Sequence, residues 1–102
     1  MNWDESTGSS SRRSLHILIE GRVQGVGFRA YVDLQARSLG LEGWVRNRRD
    51  GGVEAVFMGP RETVDHMLVL CRSGPVHARV DMLRILDESA AAEPGFKVLP
   101  TV

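Results

Sequence analysis

The stretch that most constrains this chain is Gly21-Arg22-Val23-Gln24-Gly25-Val26-Gly27-Phe28-Arg29. It joins a segment of period-two alternation to one with apolar residues at helical spacing, so it must be a tight strand-to-helix turn. On the strand side Leu15, Ile17 and Ile19 oppose His16, Glu20 and Arg22, with Leu18 alone out of phase. On the helix side Phe28, Val32, Ala36 and Leu39 recur together, with Tyr31 beside them. Gly40 then stops the helix, which the spacing predicts over 28–39. Glycines in the turn permit φ > 0 and let a ligand approach the main chain. The helix start leaves N–H groups without intrahelical partners at the positive end of the dipole, which makes an anion cradle. Arg29, in the first turn, adds a guanidinium fork suited to a phosphoryl group. Together these residues predict a binding site for one small phosphorylated anion.

Past that helix the alternation returns. A strand over 41–49 puts Gly43, Val45 and Asn47 on one side and Trp44, Arg46 and Arg48 on the other. Asp50-Gly51-Gly52 is a hairpin signal, and Val53, Ala55 and Phe57 form the apolar face of the returning strand. Gly59-Pro60 is expected to break that strand and open a second helix. Val64, Met67, Leu68 and Cys71 make its apolar stripe, and Gly74-Pro75 ends it. Between Val76 and Leu86, Ala78, Val80 and Met82 are in phase while Leu83 and Ile85 are not. A bulge near Met82 and Leu83 would produce that slip. A polar connector over 87–94 leads to a short closing strand over 95–99, where Phe96 and Val98 alternate.

The polar, Ser-rich residues 1–14 are expected to form a flexible N-terminal extension, and 15–102 a single domain. The order β-α-β-β-α-β implies a ferredoxin-like α+β sandwich, two helices covering one face of a four-stranded antiparallel sheet. Lys plus Arg equals Asp plus Glu at 13 each, so no global field attracts nucleic acid. No apolar run approaches the ~20 residues of a membrane span. Neither nucleic acid nor a membrane is an expected partner. Cys71, the only cysteine, excludes an internal disulfide and reads as a core residue in a cytoplasmic protein. His16, His66 and His77 lack ligand-like spacing. Gly25-Val26-Gly27 has neither the third glycine of a dinucleotide fingerprint nor a following Gly-Lys-Ser/Thr, so nucleotide loops are excluded. Arg46, Arg48 and Arg49 read as the solvated guard of an edge strand.

The nine-residue turn resembles the phosphate-loop signature of the acylphosphatases. Gly43-Trp44-Val45-Arg46-Asn47, followed by Asp50-Gly51, resembles the second signature of the same family. Gly59-Pro60, Gly74-Pro75-x-x-Ala78 and Gly95-Phe96 also fall where that family has them, and the resemblance covers roughly 15–99. It implies a ferredoxin-like fold and hydrolysis of the carboxyl–phosphate bond of small acyl phosphates, releasing inorganic phosphate without metal or cofactor. Position by position, the family's phosphate-binding arginine falls on Arg29 and its water-orienting asparagine on Asn47. Its cradle amides fall on Gln24, Gly25, Val26, Gly27 and Phe28. Leu70 stands where many members carry a tryptophan, a packing position.

That chemistry suits these residues. A carboxylate leaving group has a conjugate-acid pKa near ~4 and departs as an anion at neutral pH, so no general acid is required. What remains is to hold a phosphoryl group and aim one water, and a neutral amide can donate and accept without competing as an anion. Small size and balanced charge suggest a monomer. Two other readings compete: a phosphate- or acyl-phosphate-binding regulatory module without turnover, and a single-stranded RNA binder on the same sandwich, with Trp44 as its main stacking candidate. Arg29 and Asn47 together favour the enzyme; balanced charge opposes the RNA binder.

Overall fold

The computed structural model describes residues 12–102; most of the expected N-terminal extension, residues 1–11, lies outside the described residues. The elements run β1 (Arg12–Arg22), α1 (Phe28–Ser38), β2 (Glu42–Asn47), β3 (Val53–Pro60), α2 (Arg61–Ser73), β4 (Arg79–Asp87) and β5 (Phe96–Val98). They build a five-stranded sheet in the order β4-β1-β3-β2-β5. The first four strands pair antiparallel, as the ferredoxin-like sandwich requires. The closing strand adds a parallel fifth beside β2, so the sheet is mixed. With β5 outside it, β2 is not an edge, and its arginines are not edge guards.

β1 begins at Arg12 rather than Leu15, because β3 runs through Gly59 to end at Pro60, where the helix opens as expected, and its last residues offer partners. Arg12 lies opposite Pro60, Arg13 opposite Gly59 and Ser14 opposite Met58. Pro60 is both the last residue of β3 and the N-cap of α2. A missing N–H costs little at a strand end and at a helix start.

The alternation seen in sequence becomes a two-sided division. Leu15, Ile17 and Ile19 of β1, Val45 of β2 and Val53, Ala55 and Phe57 of β3 are buried beneath the helices. Phe28, Val32 and Ala36 of α1 and Val64, Met67 and Cys71 of α2 meet them. Burial pushes the Cys71 thiol up to about 12, with Arg72 opposing only weakly, so it is a core group and no nucleophile. Tyr31 Oη–H donates to the Leu70 carbonyl at 3.0 Å and links the helices. Phe96 stacks on Phe57 at 5.9 Å and anchors the short β5 to the core. In β4 the register jumps between Glu20 opposite Met82 and Gly21 opposite Val80, leaving Asp81 as the extra residue. That bulge, one position before the expected place, turns both Val80 and Leu83 toward the core. A second irregularity at Leu86 accounts for the remaining drift of phase.

On the face away from the helices, Glu54 is only 4% exposed. One carboxylate oxygen lies 2.5 Å from His16 Nε2. The other accepts from Arg46 Nε at 2.9 Å and Arg48 Nη1 at 3.3 Å. Arg46 lies 4.7 Å over the Trp44 ring, which His16 also approaches. The stacking candidate for RNA is therefore already stacked within the protein. Burial pushes the Glu54 carboxyl upward, but the hydrogen bonds from Arg46 and His16 outweigh it and hold the group below the usual carboxylate range.

A folded-state pKa below the unfolded one gives stability that is present above the unfolded value and lost as pH falls through the folded one. Resistance to urea unfolding is therefore expected to fall progressively below about pH 5. Glu54→Gln should lower stability at pH 7 by about 1–3 kcal/mol and flatten the acid limb. An unchanged acid limb would show that other carboxylates govern it.

Candidate active site

Between β1 and α1 the chain turns through Gly25 at φ 75° and Gly27 at φ 79°, both in the left-handed region that favours glycine. Gly27 is the N-cap of α1; no side chain caps the helix and no acidic residue lies in its first turn. The first helical bond, Tyr31 N–H to the Gly27 carbonyl, is 3.0 Å long. The amides of Phe28, Arg29 and Ala30 precede it and have no intrahelical acceptor. The positive end of α1 thus opens where the loop glycines leave the main chain bare.

That opening is a concavity of about 440 Å³. Gln24, Gly25, Gly27, Phe28 and Arg29 line it from the loop and helix, and Asn47 from the end of β2. The expected pair therefore meets in one hollow, though 18 positions apart in sequence (47 minus 29). Arg29 is half-buried and carries no ion pair among the described residues, so its guanidinium is uncommitted. Asp33, one turn along α1 and also on the wall, is held by Arg37 at 2.8 Å. Asn47 Oδ1 is buried with no protein donor within reach. Such an oxygen is an acceptor that no protein group satisfies. The expected role of Val26 is that of its main-chain amide; its side chain turns elsewhere. Flanked by the two left-handed glycines, it packs against the core and lines the neighbouring depression with Arg22, Gly25 and His77.

Two supports of this hollow were not legible in sequence. Gln24 Nε2–H₂ donates to the Arg48 carbonyl at 2.7 Å and the Gly52 carbonyl at 2.8 Å. Its side chain thus ties the glycine loop to the hairpin that carries Asn47. The hairpin is stiffened in turn: Asp50 accepts from Gly52 N–H at 3.0 Å and from Arg48 Nε at 3.0 Å. Those two contacts, the Gly52 N–H first, hold the Asp50 carboxyl below its ordinary range. The second support is the chain end. Val102 N–H donates to the Asn47 carbonyl at 3.1 Å, and Arg49 N–H to the Val102 carbonyl at 2.7 Å. Gln24 stood in the motif as a cradle amide, with nothing to mark its side chain as a strut. Residues 99–102 carry no alternation to announce a pairing. Among the described residues, no group of three or more His, Cys, Asp or Glu side chains is placed to hold a metal ion.

The acylphosphatase family model matches residues 15–98. An acylphosphatase of Bradyrhizobium diazoefficiens is 52% identical over 100 residues, covering 90% of this chain and 99% of that protein. One of Azorhizobium caulinodans is 54% identical over 90 residues, covering 87% and 97%. The crystal structure of acylphosphatase from Bacillus subtilis superposes with a TM-score of 0.79 at 34% identity, covering 85% of this chain and 98% of that one.

Removing the Gln24 strut tests whether the hollow depends on it. Gln24→Ala should cost about 1–2 kcal/mol of stability, from two hydrogen bonds of about 1 kcal/mol each. It should also weaken inorganic phosphate binding several-fold in isothermal titration, with the far-ultraviolet circular dichroism unchanged. Unaltered phosphate affinity would show that the loop holds its shape alone.

Proposed function

The chain belongs to the acylphosphatase family, and from that premise we propose how its residues share the hydrolysis of acyl phosphates to carboxylate and inorganic phosphate. The main-chain N–H groups of Gln24 through Phe28, with the uncapped start of α1, hold the phosphoryl oxygens. Arg29 adds a bidentate positive partner and follows the charge as it spreads over those oxygens in the transition state. Asn47 accepts a hydrogen bond from one water through Oδ1 and aims it in line with the breaking bond. The water oxygen forms the new P–O bond, the acyl C–O–P bridge breaks on the phosphorus side, and the electron pair leaves with the carboxylate. The water proton passes to solvent or to the phosphate itself.

The single observation carrying this assignment is that an uncommitted Arg29 guanidinium and the Asn47 side chain line the same hollow at an uncapped helix start. Amides and Arg29 supply the positive charge that a divalent cation supplies in other phosphoryl transfers, so we read the reaction as metal-free. We also read the protein as a cytoplasmic monomer acting on a small molecule, with neither nucleic acid nor membrane as partner. Cys71 is unpaired and buried, as suits a reducing compartment. No helix among the described residues is long and apolar enough to cross a membrane.

Benzoyl phosphate hydrolysis with EDTA throughout tests the assignment. Arg29→Lys and Asn47→Ala should each lower kcat/KM by on the order of 10²–10³ while the fold persists. Arg29→Lys keeps the charge but loses the fork, so near wild-type activity there would remove the bidentate role. Loss of wild-type turnover on adding EDTA would overturn the metal-free reading. A folded wild type that binds inorganic phosphate without turnover would make this a binding module.

A further inference from the structure

We propose that this site selects among acyl groups by charge, favouring acyl phosphates whose acyl part carries a second anionic group, which Arg22 and His77 receive. The inference rests on the function proposed above and concerns the half of the substrate that the phosphate cradle does not touch.

Two depressions meet at the glycine loop. One, of about 440 Å³, holds Arg29 and Asn47. The other, of about 460 Å³, is lined by Arg22, Val26 and His77. Gly25 lines both. It is exposed, and the place where a Cβ would stand has no atom within 4 Å, so no side chain stands on the loop where the two hollows adjoin. A substrate with its phosphoryl group in the first hollow and its acyl part crossing Gly25 brings that acyl part to Arg22 and His77.

The two ways out of the cradle differ in charge. Along α1 the wall carries the Asp33 carboxylate. Across Gly25 it carries Arg22, which has no carboxylate partner among the described residues. Opposite Arg22 on β4 stands Arg79, whose charge Asp81 takes up. The acidic residue at that end of β4, Asp81, is already held by Arg79 through contacts of 2.9 and 3.2 Å. His77 presents at least one ring N–H donor in either protonation state. An anionic acyl group therefore meets a carboxylate already paired with Arg37 along one route and donors without a carboxylate partner along the other. Both Arg22 and His77 are exposed, so the preference is modest and screened by salt.

The test compares kcat/KM for 3-carboxybenzoyl phosphate and benzoyl phosphate in the wild type, Arg22→Gln, His77→Gln, the double variant and Asp33→Asn. Taking the ratio of the two substrates and comparing it between proteins cancels their intrinsic reactivities. At low ionic strength Arg22→Gln should lower the carboxylated-to-plain ratio by about 2–5-fold and the double variant by more. Asp33→Asn, which removes a carboxylate already paired with Arg37, should leave the ratio unchanged, and a fall as large as that of Arg22→Gln would overturn the inference; 0.5 M KCl should shrink every difference toward none. A ratio indifferent to Arg22 and His77, with benzoyl phosphate turnover still dependent on Arg29, would overturn this inference alone. Equal loss on both substrates in Arg22→Gln would place Arg22 on the phosphoryl group and overturn it too. No wild-type turnover of benzoyl phosphate would sink the underlying function and this inference with it.

Discussion

The structure depends on a helix end that the protein leaves unsatisfied. A serine, threonine or aspartate at the N-cap of α1 would stabilise it by about 1 kcal/mol. The chain instead places Gly27 there, in a left-handed conformation, with no acidic residue in the following turn. The positive end of the dipole and the bare amides thus have no side-chain cap. In the proposed function an anion completes that end, and the sheet holds the loop in shape for it.

The sheet does so through β3, which is flanked by β1 and β2 and buried on both faces from Val53 to Phe57. On one face it carries the core beneath the helices. On the other, Glu54 gathers His16, Arg46 and Arg48. Arg48 links this cluster to the site, because its carbonyl receives Gln24 while its guanidinium is held by Glu54 and Asp50. Gly43 serves the same rigidity: a Cβ there would lie 1.8 Å from the Val56 carbonyl oxygen, so the glycine of the second signature lets β2 approach β3. Asn47, at the end of β2, inherits its position from that close pairing.

Where the reading from sequence went astray, a pairing partner distant in sequence was responsible. Gly59-Pro60 does end β3, but both residues still belong to the strand because Arg12 and Arg13 run beside them, which lengthens β1 by three residues. Arg46, Arg48 and Arg49 look like a solvated guard until β5 is placed outside β2 and Glu54 beneath the first two. The phase slip in β4 did announce a bulge, but its location at Asp81 follows from the register with β1. The Cys71 stripe, by contrast, needed no partner to be read, since helical spacing alone put it inside.

Local chemistry along the chain determined the element order, the two helix faces, the glycine loop with Arg29 at its helix start, and the chemical type of ligand. Those follow from short-range spacing and from what glycine, arginine and a helix terminus do wherever they occur. Only the tertiary structure decided that Asn47 lines the same hollow as Arg29, that Gln24 braces the loop against the hairpin, and that Val102 grips the Asn47 backbone. Each of these is a contact between segments separated by a turn, a helix or half the chain. Its geometry exists only once strand register and sheet order bring the segments together.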